Sequence, residues 1–389
     1  MSARSHVELP MFFEASHATL GASLTASLRE DDAALHTPAG VVPRLAELGL
    51  LDLVVPKTDR VDVRALSLAR EAMAYVSPLA DGVFAVQGLS AHALVLSPSF
   101  ARRDEVLTAM RAGTRTGGFA LTEPDAGSDV ASMQTSARRG KDGKDEWILD
   151  GEKCFISNVG IAHHFVVFAN ADPAAGKRGI SAFFVEANAP GLTLEAIPMS
   201  GDHPLGRLVM DGCRIPASHL IGEVGQGLRL ALGTLDVFRT SVGGAAVGMA
   251  QRAFDESVTR VSGRKQFGQR LADFQLTQAA LAEMATDLEA ARLLVYRAAW
   301  MKDHARDASA KEIATPPQVA VAMAKMFATE AAQKIIDRAV QLHGGLGVVS
   351  TSVVERLYRE IRPLRIYEGT TEIQKLIIGS AFAKERTLS

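Results

Sequence analysis

The spacing of apolar residues changes twice along this chain, and nothing in the sequence constrains its fold more. Up to about residue 117 the apolar positions recur at helical intervals, in Pro43–Leu53, Val63–Val76 and Asp104–Arg111, with Pro56, Pro78 and Pro98 as punctuation. From Gly118 to about Gly225 short runs of branched and aromatic residues take over: Trp147–Leu149, Phe165–Phe168, Ile180–Val185, Leu192–Ile197 and Leu208–Met210. Asp142-Gly143 and Asp150-Gly151 read as hairpin dipeptides, and Pro190-Gly191 marks another turn. From Gln226 the helical spacing returns and stays. Leu281, Met284, Leu288, Ala291, Val295 and Ala298 form one apolar stripe. Thr315-Pro316-Pro317-Gln318 reads as a capping box with proline in the first turn. Met323, Phe327, Ala331, Ile335 and Leu342 continue that helix to a stop at Gly344-Gly345. The spacing therefore predicts an α+β multidomain chain: helices over residues 1–117, a β-domain over 118–225 and a helical bundle over 226–389.

Composition bounds the function by exclusion. The 389 residues leave room for two or three domains, and 47 % hydrophobic content supplies a core for them. A net charge of −2 with no basic stripe argues against nucleic acid or an anionic membrane surface as partner. No apolar run reaches the roughly 18 residues of a membrane span, and the N-terminal stretch lacks the apolar centre of a signal peptide. Cys154 and Cys213 have no metal-ligand spacing, and His163, His164 and His343 have no matching partners. No metal site is expected, the histidines read as structural, and a cytoplasmic location is the default. The sequence has no G-x-G-x-x-G, P-loop, G-x-S-x-G or H-E-x-x-H pattern. A Rossmann nicotinamide enzyme, an ATPase and a serine hydrolase are accordingly disfavoured.

Five segments can carry chemistry. In Ile366-Tyr367-Glu368-Gly369-Thr370-Thr371-Glu372 a carboxylate lies between an aromatic residue and a glycine, followed by two hydroxyls. Glu368 can act as a dry proton-abstracting base, with Gly369 and Thr370 bringing donors close to a ligand; the plain alternative is a solvated turn. Phe119-Ala-Leu-Thr-Glu-Pro-Asp-Ala-Gly-Ser-Asp129 leaves a strand through Thr122, Gly127 and Ser128, and reads either as a ligand loop or as a side-chain-capped turn. In Lys153-Cys-Phe-Ile-Ser-Asn158, Phe155 and Ser157 alternate on one strand face, which suits a flat heteroaromatic ring or an ordinary core. Arg264-Lys-Gln-Phe267-Gly268 with Gln275 offers a phosphate clamp and a stacking ring, or a solvated basic turn. Gln341-Leu-His-Gly-Gly345 admits a ligand as readily as it caps a helix.

These segments, in this order and at these separations, resemble the acyl-CoA dehydrogenase flavoprotein family, well over about residues 118–385 and in general character before that. The resemblance implies an N-terminal helical domain, a middle antiparallel β-domain and a C-terminal four-helix bundle, assembled as a tetramer or less often a dimer. It implies FAD as cofactor, lying between the β-domain and the bundle. Phe119, Leu121, Thr122, Gly127 and Ser128 would contact the flavin and its pyrophosphate; Phe155 would cover the ring and Ser157 approach N5. Arg264, Phe267, Gln275, Gln341 and Gly345 would reach the FAD of a neighbouring subunit, and Thr370 and Glu372 would complete the nucleotide site. Ser128, Asp236, Arg239 and Gly369 match positions that contact the acyl-CoA thioester arm.

The implied reaction is α,β-dehydrogenation, with Glu368 taking the Cα proton and electrons passing to an electron-transfer flavoprotein. Members that carry the glutamate on the earlier helix have it where Phe238 stands here, so the base is assigned to Glu368. Aspartate-bearing nitroalkane oxidase relatives and monooxygenase relatives without the carboxylate are disfavoured by the same residue. The same chemistry on a carrier-protein-bound acyl group, a flavin oxidase or oxygenase, and a silent scaffold are the other readings. Departures from the family pattern are Phe155 in place of a common tryptophan, the stretch Ser200-Gly-Asp-His-Pro-Leu-Gly206, and Ser97–Arg115 without its usual glutamine- and lysine-rich helix. Phe84 is expected to shorten the acyl pocket.

Overall fold

The computed structural model describes residues 4–58, 60–140, 145–305 and 315–385. The helices are, in chain order, α1 (Ser5–Glu8), α2 (Ala15–Ser27), α3 (Pro38–Glu47), α4 (Val63–Val76), α5 (Pro78–Val95), α6 (Arg103–Arg111), α7 (Gly227–Gly263), α8 (Gln275–Asp303), α9 (Pro317–His343), α10 (Val353–Ile361) and α11 (Thr371–Glu385). The strands are β1 (Gly117–Ala120), β2 (Ser136–Arg139), β3 (Glu146–Ser157), β4 (His164–Asn170), β5 (Ile180–Glu186), β6 (Leu192–Ala196), β7 (Leu205–Pro216), β8 (Leu220–Ile221), β9 (Lys265–Gln266) and β10 (Gln269–Arg270). The chain divides into two compact units: Ala33–Val61 with Gly82–Asp236, which holds the large sheet, and Met1–Asp32, Asp62–Asp81 and Val237–Ser389, which is chiefly helical. Among the described residues no helix is long and apolar enough to cross a membrane.

In the sheet unit the strand order is β6-β7-β3-β2-β4-β5-β8, with β1 also paired to β4. Most pairings are antiparallel, as expected, but β1 and β2 both run parallel to β4, so the sheet is mixed. Alternate residues of the long strands fill one core: Trp147, Leu149, Phe165, Val167, Phe183, Val185, Leu208 and Met210. Each such side chain, taken out of water, contributes about 1.5–3 kcal/mol. The five expected strand runs correspond to β3 to β7, with Leu192–Ile197 running one residue past the end of β6. Asp150-Gly151 is not a hairpin turn. It lies inside β3, where the pairing with β7 slips between Leu149 and Gly151, and Gly151 sits at φ +141. A β-carbon there would come within 2.8 Å of Thr135 Cα, so the glycine serves a bulge rather than a chain reversal. Asp142-Gly143 lies outside the described residues.

The helical unit is built on α4, in which every residue except Tyr75 is buried. α7 comes to backbone contact with it: a β-carbon on Gly244 would stand 2.6 Å from the Ser67 carbonyl oxygen, and one on Gly248 2.1 Å from that of Glu71. α8 buries Met284, Leu288, Ala291, Val295 and Ala298, the stripe seen in the sequence, and packs on α9, which in turn packs on α10 and α11. α9 begins at Pro317 with Pro316 as its N-cap and no side-chain cap bond, so the expected capping box at Thr315 does not form. Its C-cap is Gly344, as expected. The expected helix over Pro43–Leu53 is broken: α3 ends at Glu47, Gly49 takes φ +70, and a separate 3₁₀ turn covers Leu50–Leu53.

Candidate active site

Within the helical unit the segment following α10 is shaped by Pro363. Its carbonyl accepts the N–H groups of Ile366 (2.8 Å) and Tyr367 (3.0 Å), which closes a tight turn over Arg362–Arg365. The next two residues are left-handed, Glu368 at φ +53 and Gly369 at φ +91, and α11 starts at Thr371. A non-glycine residue in that region is strained by about 1–2 kcal/mol, so its surroundings must hold it there. Three side chains do. Arg239 on α7 donates from Nε to the Glu368 carbonyl at 3.0 Å, while Lys325 on α9 and Gln374 on α11 each donate to the Gly369 carbonyl at 2.8 Å. The start of α11 is also fixed, because Glu330 of α9 accepts from Thr371 Oγ1 at 2.7 Å and from Arg365 Nε at 2.8 Å.

The Glu368 residue is only half-buried, yet its Oε2 is shut off from water and has no hydrogen-bond partner among the described residues. Burial raises its pKa above the ordinary carboxylate range, against the opposing pull of Arg70, Arg239 and Lys325, while Asp81 adds to the rise. Arg70 is fully buried and held bidentately by Asp81, with both bonds at 2.8 Å, and its Nη1 donates to Ser241 Oγ at 3.1 Å. Asp81 offsets part of that charge, and Arg70 remains the largest of the cationic influences on Glu368. A dry carboxylate with a raised pKa and an open lone pair is equipped to accept a proton from carbon. Phe238 is buried and has no titratable group, so α7 offers no competing base there.

The remaining expected site residues fall into three groups. On the sheet unit, Thr122 and Leu121 lie beside β3: the Thr122 carbonyl accepts Cys154 N–H at 3.0 Å, and that of Leu121 accepts Lys153 Nζ at 3.1 Å. Phe119 is half-buried on β1 with its ring 5.0 Å from that of Phe168. Gly127 and Ser128 are exposed, and a β-carbon on Gly127 would meet nothing within 4 Å. Phe155 is 62 % exposed at φ +56, on a second slip in the β3–β7 register, with Ser157 half-buried two positions on and Ile156 turned into the core between them. Asp236, half-buried on α7, belongs to the same unit.

On the helical unit, Arg264, Phe267 and Gln275 are gathered around the β9–β10 hairpin, all exposed, with Phe267 at 94 % exposure and φ +50. Gln341 and Gly345 are exposed at the C-terminal end of α9. Thr370 Oγ1 accepts Ile373 N–H at 3.4 Å, and Glu372 is an exposed first-turn residue of α11. It borders a cleft of about 270 Å³ whose walls include Phe327, Glu330 and Arg365.

FAD, the cofactor implied by the resemblance, can be tested against these side chains. Phe155 and Phe267 are large apolar rings held in water by left-handed backbone, an arrangement that core packing does not explain and that a flat partner would. The residues present fit the group. Arg70, Asp81, Lys325 and Gln374, which surround the loop, are not among the expected site residues. For Lys325 the sign available was a lone cation inside an apolar helical run, Ala322-Met-Ala-Lys-Met326.

Comparison with known proteins gives a consistent result. Family models described as "Acyl-CoA dehydrogenase, middle domain" and "Acyl-CoA dehydrogenase, C-terminal domain" match residues 118–213 and 225–383. The chain is 35 % identical over 359 residues to the caffeyl-CoA reductase-Etf complex subunit CarC of Acetobacterium woodii, covering 90 % of each chain. It is 37 % identical over 354 residues to the human mitochondrial short-chain specific acyl-CoA dehydrogenase, covering 88 % of this chain and 82 % of that one. A glutaryl-CoA dehydrogenase from Mycobacterium smegmatis, solved in complex with FADH2, superposes with a TM-score of 0.85 at 26 % identity, covering 97 % of this chain and 96 % of that one.

Proposed function

We propose, because this chain belongs to the acyl-CoA dehydrogenase family and is an oxidoreductase of that type, that it removes two hydrogens across the Cα–Cβ bond of an acyl-CoA thioester, with Glu368 as the base. The observation that carries this reading is the buried, unpartnered Oε2 of Glu368 on a clamped left-handed loop. A thioester α-proton is a weak acid, and a water-exposed carboxylate would not remove it. Desolvation raises the basicity of Glu368, against the opposing pull of Arg70, Arg239 and Lys325. The Glu368 N–H is a donor for the thioester oxygen as negative charge develops on it, in the manner of an oxyanion hole.

FAD, when bound, accepts the hydride from Cβ. On the sheet unit, Phe119, Leu121, Thr122, Gly127, Ser128, Phe155 and Ser157 hold it. Arg264, Phe267, Gln275, Gln341 and Gly345 serve the FAD of a neighbouring subunit in a homo-oligomer, and Thr370 and Glu372 serve the nucleotide. Ser128, Asp236, Arg239 and Gly369 take the thioester arm, and an electron-transfer flavoprotein receives the electrons. The relative named as a reductase points to the reverse reaction, in which the same carboxylate returns the proton.

The test is anaerobic titration of the purified yellow protein with a panel of acyl-CoAs, following flavin absorbance near 450 nm. Bleaching by one acyl class is the expected result. A flavin that dithionite reduces but no CoA thioester bleaches would overturn the reading, and a carrier-protein-bound acyl group would replace the free thioester as the substrate to test.

A further inference from the structure

Lys325 is the least expected residue around the base. It is fully buried on α9, and among the described residues no carboxylate lies within salt-bridge distance of its nitrogen. Its hydrogen bond goes to a neutral acceptor, the Gly369 carbonyl, at 2.8 Å. A buried ammonium without an ion pair is expensive, and replacing it by an apolar side chain of similar length would cost the fold little. The reason for a cation at this position therefore has to come from what it touches.

It touches the peptide that follows the base. Glu368 and Gly369 are both left-handed, and their two carbonyl oxygens are gripped by three donors from three helices. These donors differ in kind. Gln374 belongs to α11, the helix into which the loop leads, and moves with it. Arg239 holds the carbonyl of Glu368 itself, from a half-buried position on α7. Lys325 ties the Gly369 carbonyl to α9, which is anchored independently by Ala324, Ala328 and Ala331 in the core.

We propose that Lys325 is the positioning residue of the base loop: its bond to Gly369 locks the Glu368–Gly369 peptide, so that the carboxylate and the N–H of Glu368 keep one fixed relation. This rests on the reading of Glu368 as the base. The charged and titratable groups around Glu368 are Arg70 on α4, Asp81 on α5, Arg239 on α7, Lys325 itself and Tyr367 in the loop, with Glu330 and Glu372 acting on Lys325 from α9 and α11. Of these, Arg239 and Lys325 both bond the loop and oppose the rise in the Glu368 pKa, and Lys325 is the one of the two that holds the Gly369 carbonyl.

The experiment compares wild type, Lys325→Met and Lys325→Arg as FAD-loaded proteins, by hydrogen exchange over 366–374 and by steady-state kinetics across pH. In Lys325→Met, exchange in that segment should rise about tenfold with the rest of the chain unchanged. kcat should fall about 100-fold, the loss typical of ångström-scale misplacement, with KM within about twofold. The acid limb of the kcat profile should move to higher pH, because a cation that favours ionised Glu368 is gone. Lys325→Arg, which keeps the charge with different donor geometry, should lose kcat with the acid limb unmoved, and it carries the same readouts if the Met variant does not fold. Unchanged exchange over 366–374, or loosened exchange with unchanged kcat, would overturn the proposal. A wild-type protein that turns over no thioester, while Lys325→Met still loosens the loop, would overturn the dehydrogenase reading and uphold the clamp.

Discussion

Among the described residues two lysines are completely buried, one in each unit, and they are held in opposite ways. Lys153, on β3, meets Glu123 at 2.8 Å, and Glu123 also accepts the N–H groups of Gln134 (2.6 Å) and Thr135 (3.0 Å). Among the described residues Lys325 meets only a carbonyl at hydrogen-bond distance, and the carboxylate that acts on it most strongly, Glu368, keeps an oxygen without a hydrogen-bond partner. In both, burial drags the amine down to about 8, against the pull of nearby carboxylates. In the sheet unit the carboxylate is saturated: every bond it makes pins the segment from Leu121 to Thr135, which carries Thr122, Gly127 and Ser128. In the helical unit the cation bonds a neutral carbonyl, and the nearby carboxylate keeps one oxygen unbonded among the described residues. A closed ion pair builds a scaffold; an open one leaves chemistry available.

That contrast can be broken or sharpened by substitution. The largest effect expected is on rate: Glu368→Gln should slow flavin bleaching by about 10³–10⁴-fold while thioester binding, followed by calorimetry, persists. Next comes stability in the sheet unit. Glu123→Gln strands a buried ammonium and should cost about 3–5 kcal/mol in urea denaturation, much of it recovered in the double variant Lys153→Met/Glu123→Gln, whereas Lys325→Met should change stability by about 1 kcal/mol or less. Gly369→Ala lies between these two effects on stability. At φ +91, with its new methyl 2.7 Å from Gln374 Nε2, it should cost about 1–3 kcal/mol and loosen the clamp that Lys325 shares.

The smallest effect is a pH dependence. The folded pKa of Glu368 lies above its unfolded value, so its contribution to stability is complete below the unfolded pKa and is lost as pH rises through the folded one. Replacing it by glutamine removes that loss. The Tm of Glu368→Gln relative to wild type should therefore be higher at pH 8 than at pH 4, and an unchanging difference would show that the carboxylate is not desolvated.

The sequence made legible whatever depends on neighbours along the chain. Val63–Val76 was readable to the residue because the whole segment keeps one period, and α6 begins at Arg103, one position before the expected start. Pairing was harder. β1 and β2 lie parallel to β4 because of contacts far apart in sequence, and no local pattern encodes that direction. Asp150-Gly151 looks the same in a bulge as in a hairpin, and only the facing Thr135 decides between them. In the candidate site, the loop from Tyr367 to Thr370 and Arg239 stood out as residue types suited to chemistry. Arg239, expected at the thioester arm, also donates to the Glu368 carbonyl, a bond that no local pattern announces. Arg70 and Lys325 did not stand out, because a single cation in an apolar helix more often stretches to water than ends beside a carboxylate.

The burial of Lys153 and Lys325 has one further chemical consequence. An amine with a pKa near 8 is uncharged at neutral pH roughly 300 times more often than an ordinary lysine at 10.5, and an uncharged amine is a nucleophile. A protein that handles thioesters works among acylating agents, and its most nucleophilic amines would be the first to be modified. Both are closed to solvent at 0 % exposure, so the same packing that makes them reactive keeps the electrophile away. Acylation by free thioesters should therefore fall on the exposed lysines, and these two should become labelled only when the chain unfolds.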